Sequence, residues 1–232
     1  MMKRLIKSLL IAVLSLSHAH ASADDFSDGV ALYGQENFPA AAAAFKKAAD
    51  QGRPEAQFNL GLMYLNGEGV PQDYGAARNL FEQAALQNNP RAQVNLARMY
   101  AKGKGVAPNY GQAVHWFKKA VELGYADAQY SLGVLYVTGN GAPRDYRKAY
   151  DLFLAAAEQN NASAQYQLGL MYFKGKAVAL NYVEAMKWFI LAGDFDEAVS
   201  YRRYAESKMN KEQIAEAKTQ AAEWSTNPPG KP

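Results

Sequence analysis

The stretch AQFNLGLMYLNGEGVPQDYGAARNLFEQAA, residues 56–85, decides the fold, because the chain restates its frame three more times. Its opening pair Ala56-Gln57 returns at Ala92-Gln93, Ala128-Gln129 and Ala164-Gln165, each time 36 residues further on. The rest keeps the same step. Leu60, Leu96, Leu132 and Leu168 align, as do Tyr64, Tyr100, Tyr136 and Tyr172. Gly67, Gly103, Gly139 and Gly175 follow, then Tyr74, Tyr110, Tyr146 and Tyr182, then Ala77, Ala113, Ala149 and Ala185. Each unit closes on Phe81, Phe117, Phe153 or Phe189. A fixed period of this length is the signature of a repeat architecture.

Within the unit the spacing reads as two helices. Ala56, Leu60, Met63 and Tyr64 fall at i, i+4, i+7 and i+8, one apolar helical face. Gly67-Glu68-Gly69-Val70-Pro71 then reads as a turn, with glycines suited to end a helix and a proline that blocks its continuation. Asp73, Asn109, Asp145 and Asn181 stand where the second helix begins, as N-caps worth about 1 kcal/mol each. Ala77, Phe81 and Ala84-Ala85 make its buried face. One such hairpin cannot bury its apolar side alone, so units must stack and the ends need caps.

The pattern Ala-x-Gln-x-x-Leu-Gly-x-Met-Tyr, then Gly-x-Gly-Val, Asp-Tyr, Ala and Phe-x-x-Ala-Ala, resembles the Sel1-like repeat, a relative of the tetratricopeptide repeat with a longer turn inside the hairpin. The resemblance is tight over residues 54–194 and looser in the flanks. It implies an all-α fold class, a right-handed αα-superhelix (solenoid) of 36-residue helix-turn-helix repeats. It also implies a scaffold or adaptor role at the cell envelope. The chain departs from the pattern at Ala97 and Ala142, and at Gly175-Lys176-Ala177-Val178, where the second glycine of the turn is missing.

The expected organisation follows. Residues 1–23 read as a signal peptide and 24–53 as an N-terminal tetratricopeptide-like capping hairpin, with Phe38, Ala41, Phe45 and Ala48-Ala49 matching a second helix. Residues 54–197 hold four repeats, 54–89, 90–125, 126–161 and 162–197. Residues 198–225 read as C-terminal capping helices, the last opened by a capping box at Asn210 to Gln213 and striped by Ile214, Ala217, Ala221 and Trp224. Residues 226–232, rich in proline, read as a disordered tail.

The signal-peptide expectation rests on Lys3, Arg4 and Lys7, the apolar run from Leu9 to Leu16, and Ala19-His20-Ala21-Ser22-Ala23, with cleavage after Ala21 or Ala23. The expected location is the periplasm, with secretion to the medium as the alternative. The full chain has 25 basic and 22 acidic residues. Residues 1–23 carry three of the basic ones and no acidic one, so the remainder is neutral and offers no global attraction to nucleic acid or anionic lipid. The chain has no cysteine, which excludes disulfides and leads to the expectation of no lipid anchor; no membrane span is expected either.

No catalytic, cofactor-binding or metal-binding residue is assigned. Ser-x-x-Lys, Gly-x-Ser-x-Gly and His-Glu-x-x-His do not occur, and beyond residue 23 the one histidine is His115. The Gly-x-Gly turns follow helices rather than strands, so they are not phosphate loops. Cysteine-rich relatives described as β-lactamases leave a hydrolase as the weakest reading.

Binding is expected on the first helices, which by analogy with tetratricopeptide geometry line the concave side of the stack. The first unit would supply Phe58, Leu62, Leu65 and Asn66, the second Val94, Arg98, Ala101 and Lys102. The third would supply Tyr130, Val134, Val137 and Thr138, the fourth Tyr166, Leu170, Phe173 and Lys174. Aromatic and aliphatic side chains with a few cations suit a protein or peptide partner in the envelope, such as a sensor or a cell-wall enzyme. Aromatic rows also stack on sugars, so a peptidoglycan fragment is the alternative ligand. Oligomeric state is not legible.

Overall fold

The computed structural model describes residues 25–194 and 196–226; the segments read as a signal peptide and as the end of the tail lie outside the described residues. Among the described residues there are helices and no strands, in two compact units divided after Pro108. The first unit holds α1 (residues 25–34), α2 (Phe38–Asp50), α3 (Pro54–Asn66), α4 (Tyr74–Leu86) and α5 (Pro90–Lys102). The second holds α6 (Tyr110–Glu122), α7 (Ala126–Thr138), α8 (Tyr146–Glu158), α9 (Ala162–Lys174), α10 (Tyr182–Ala192), α11 (Asp196–Glu206) and α12 (Lys211–Thr226).

The ends of these helices are built as the residues dictate. Asp73, Asn109, Asp145 and Asn181 each accept a backbone N–H from the first turn of the helix they precede. Asn89 and Asn161 do the same for α5 and α9. Gly67, Gly103, Gly139 and Gly175 end the first helices in the left-handed conformation, which glycine adopts without steric cost. At α12 the box is reciprocal: Gln213 N–H donates to Asn210 Oδ1 at 2.8 Å, and Asn210 N–H donates to Gln213 Oε1 at 3.0 Å.

Packing inside a hairpin turns on one small residue facing one large one. A Cβ placed on Gly61 would meet the Phe81 ring at 2.8 Å; on Gly133 it would meet Phe153 at 2.6 Å, and on Gly169 it would meet Phe189 at 2.5 Å. The ring therefore occupies the space a side chain would need, and the two helices close on each other. The N-terminal hairpin uses the same device, Gly29 against Phe45. Its turn between α1 and α2 is four residues shorter than that between α3 and α4, so its glycine sits four positions closer to the phenylalanine.

Adjacent hairpins are tied by the Ala-Gln pair. The alanines are fully buried, and Gln57, Gln93 and Gln165 are buried with Nε2 donating to carbonyls near the end of the preceding second helix. Those acceptors are Ala49, Ala85 and Ala157. Gln57 and Gln129 also accept from Gln87 and Gln159 at 2.9 Å. A buried amide that reaches backbone carbonyls across a helix boundary fixes register as well as energy.

The long turn contributes a second tie. Gly105 lies against the start of α4, where an added Cβ would be 2.7 Å from the Tyr74 carbonyl oxygen, and Gly141 lies likewise 2.5 Å from that of Tyr110. The fourth repeat has Ala177 at this position and keeps the left-handed backbone, φ 66°. Left-handed backbone costs a non-glycine residue roughly 1 kcal/mol. Ala177→Gly is expected to raise unfolding free energy by about 1 kcal/mol, whereas Gly141→Ala should lower it by about 2 kcal/mol or more in the same urea titration. Loss of stability in Ala177→Gly would contradict this account of the turn.

Candidate binding faces of the first helices

In the first unit, the outward face of α3 and the neighbouring α1 form an apolar hollow. Val30, Tyr33, Phe45, Asn59, Leu62 and Met63 line a cavity of about 210 Å³. Val30 is 49% exposed and Tyr33 is 41% exposed, high for large apolar side chains. The Tyr33 hydroxyl donates to Glu68 Oε2 at 2.6 Å, and Asn66 Nδ2 donates to Glu68 Oε1 at 2.9 Å. Those bonds gather the end of α3, its turn and α1 around one carboxylate. The bond to Glu68, with some burial, holds the Tyr33 phenol above its usual range. Leu65 is half-buried beside Asn66; on α5, Arg98 and Ala101 are half-buried and Lys102 is exposed.

In the second unit, Val137, Tyr146, Gln167, Leu170, Met171, Lys174 and Lys176 line a second hollow of about 260 Å³. Val134 is half-buried on α7. Thr138 is exposed, and its hydroxyl donates back to the Val134 carbonyl at 3.0 Å. Tyr172, behind this face, shares a 2.9 Å hydroxyl contact with Tyr150; burial first, then that contact, push the Tyr172 phenol well above its usual range.

Two expected face residues need correction. Phe58 is 8% exposed and Val94 is 1% exposed, so both are spent on packing. The Phe58 ring centre lies 5.9 Å from that of Phe81, inside the hairpin. Helical side chains lean toward the preceding turn, which carries this position off the outer face and over the second helix. Tyr130 and Tyr166 make the corresponding contacts, 6.0 Å to Phe153 and 5.8 Å to Phe189, but remain half-buried. Phe173 is enclosed by rings, with Tyr201 at 5.1 Å, Tyr204 at 5.3 Å and Tyr182 at 5.7 Å. The aliphatic positions Leu62, Leu65, Val134 and Leu170, with Asn66, Thr138, Lys102 and Lys174, form the outward part of the expected set.

Sequence reasoning missed Val30, Tyr33 and Tyr146. The first two belong to α1, whose short turn breaks the 36-residue register, and Tyr146 had been used only as a register mark. A third concavity, about 570 Å³, lies between α10 and α12 and is lined by Glu184, Lys187, Gln220, Glu223, Trp224 and Thr226. Trp188 and Trp224 meet edge to face at 4.8 Å, and Lys187 is 2.7 Å from Glu184.

Among the described residues no group of three His, Asp or Glu side chains is placed to hold a metal ion. What the surfaces offer is contact: apolar walls, amides and ammonium groups on rigid helices.

Four consecutive segments, 54–89, 90–125, 126–161 and 162–194, match the Sel1 repeat. The chain belongs to the Sel1 repeat family. Residues 28–68 match the tetratricopeptide repeat, which accords with the short turn of the N-terminal hairpin. A Sel1 repeat protein of known structure from Oxalobacter formigenes is 30% identical over 85% of this chain and 83% of its own, with a TM-score of 0.74. Another from Klebsiella pneumoniae is 24% identical over 80% of this chain and 93% of its own, TM-score 0.53. An immunity protein from Pseudomonas aeruginosa is 22% identical over 87% and 83%, TM-score 0.50. The last two show a shared fold alone. No curated protein matches the chain.

Sel1 repeats are helical-hairpin modules whose stacking presents extended surfaces for protein contact. Among the described residues of this Sel1 chain no helix is long and apolar enough to cross a membrane.

Proposed function

We propose that this Sel1 repeat protein is a non-catalytic scaffold of the bacterial envelope that holds a protein partner against its first-helix faces. The observation that carries the reading is the pair of hollows on those faces. Each joins an apolar wall to polar or cationic side chains on rigid helices, the composition of a protein-binding surface. The envelope location rests on the basic, apolar and small-residue pattern of residues 1–23. A sensor domain or cell-wall enzyme is the partner class proposed.

A peptidoglycan fragment is the second reading, favoured by the concavity between α10 and α12, where Trp224 lies among Glu184, Lys187, Gln220 and Glu223. An aromatic edge among donors and acceptors suits a polyhydroxylated ligand.

The location is checked by N-terminal sequencing of the protein recovered from an osmotic-shock fraction. A chain beginning at Ser22 or Asp24 is the expected result; an intact Met1 retained in the cytosol would remove the envelope from the reading.

The partner face is checked by crosslinking capture from native envelopes. The wild type is compared with a Leu62→Asp, Val134→Asp, Leu170→Asp variant whose helicity is confirmed by circular dichroism. Capture should fall about tenfold in the variant, as expected when apolar contacts are replaced by desolvated charges. A Lys118→Glu, Lys119→Glu control on α6 should capture as well as wild type. Capture that is equal in all three would place the partner elsewhere. Retention on insoluble cell wall, lost on Trp224→Ala, would favour the sugar reading.

A further inference from the structure

The repeats are not equivalent; they alternate. Gln87-Asn88-Asn89 and Gln159-Asn160-Asn161 close α4 and α8, while Leu123-Gly124-Tyr125 closes α6. The same 72-residue period governs charge. Lys102-Gly103-Lys104 closes α5 and Lys174-Gly175-Lys176 closes α9, whereas α3 and α7 close on Asn66-Gly67-Glu68 and Thr138-Gly139-Asn140.

The second lysine of each pair is held in the same way. Lys104 Nζ lies 5.4 Å over the ring of Tyr74, which starts α4, and Lys176 Nζ lies 5.4 Å over the ring of Tyr146, which starts α8. Lys174 lies 5.9 Å over Tyr201, and Lys102 is exposed. Several cations of the second unit are instead paired with carboxylates: Lys148 with Asp145, Arg147 with Asp151, Lys187 with Glu184 and Arg202 with Asp194. Among the described residues no carboxylate lies within ion-pairing distance of Lys102, Lys104, Lys174 or Lys176. An ammonium resting on a ring keeps N–H donors for an incoming anion.

Beside Lys174 and Lys176 is apolar surface, the hollow walled by Val137, Leu170 and Met171, with Tyr146 between wall and lysines. In the first unit the corresponding register positions are Leu65, a charged Arg98 and a buried Met99, so the apolar wall is not repeated beside Lys102 and Lys104.

We propose that the Lys174-Gly175-Lys176 turn is a docking site for an acidic segment of a partner protein, one in which an apolar side chain sits next to carboxylates. The carboxylates take charge-assisted hydrogen bonds from the lysine pair, and the apolar side chain enters the adjoining hollow. Two cations per site match a short acidic motif. A nucleic acid needs a longer run of phosphate contacts for useful affinity, and an apolar wall offers a phosphate backbone nothing. The neutral charge of residues 24–232 leaves these turns as local features rather than part of a general polyanion surface. This inference rests on the reading of the chain as a protein-binding scaffold and narrows the partner's chemistry.

The test uses the full chain and a fluorescent synthetic peptide repeating Glu-Leu-Glu, with the matching Gln-Leu-Gln peptide and phosphatidylglycerol vesicles as comparisons. Binding is read by anisotropy and its stoichiometry by calorimetry at low salt. The Glu peptide should bind about tenfold tighter than the Gln peptide, with one peptide per chain. Changing Lys174 and Lys176 to Ser should abolish binding, whereas changing Lys102 and Lys104 to Ser should leave it intact. Arg at positions 174 and 176 should keep it. Equal binding of the two peptides, or full binding by the Lys174→Ser, Lys176→Ser variant, would overturn the proposal. So would vesicle binding that depends on Lys174 and Lys176 when peptide binding does not. A partner captured from envelopes equally by wild type and that variant would leave the scaffold reading standing and remove this inference alone.

Discussion

The close approach of a glycine in the first helix to a phenylalanine in the second, made in three of the four repeats and in the N-terminal hairpin, is the constraint on which the rest depends. With Gly61, Gly133 and Gly169 leaving no side chain in the way, the rings of Phe81, Phe153 and Phe189 are fully buried. The inner face of the first helix is thereby used up. Its neighbours in the ring contact, Phe58 in particular, are drawn inward with it. What remains outward is a narrow strip of aliphatic and polar residues, and that strip is where the hollows of each unit lie. Core geometry and binding surface are two sides of the same helix.

Stability and specificity are divided between kinds of residue. Buried Gln57, Gln93 and Gln165 hold α3, α5 and α9 to the carbonyls behind them, and the turn at Gly105 or Gly141 rests on the backbone of the preceding second helix. The glutamine recurs in all four repeats and the turn glycine in three of them. The lysine pairs, the Tyr33 to Glu68 bond and the alternation over 72 residues are not shared by all repeats. Residues that differ between repeats while the frame stays constant are the ones free to specify a partner.

Much of the fold was legible in the sequence because it is governed by local rules. The 36-residue step, the Asp and Asn caps and the glycines that end the first helices each follow from one or two residues and were read directly. The candidate face was only partly legible. Outward and inward positions on a helix differ by a fraction of a turn, and the lean of Phe58 over Phe81 depends on how closely the helices pack. The contribution of α1 was hidden because its turn is shorter, so Val30 and Tyr33 fell out of register. The lysine pairs were visible as letters, but their placement over Tyr74 and Tyr146 joins residues 30 apart and needed coordinates.

The claim that the first-helix faces carry the function is tested most directly by photo-crosslinking in living cells. A photoreactive residue is placed singly at Leu62 and Leu170 on first helices, and at the exposed positions Gln83 and Lys118 on second helices. The account predicts discrete adducts from Leu62 and Leu170, the same partner at both, and none above background from Gln83 and Lys118. Adducts confined to Gln83 and Lys118 would contradict it.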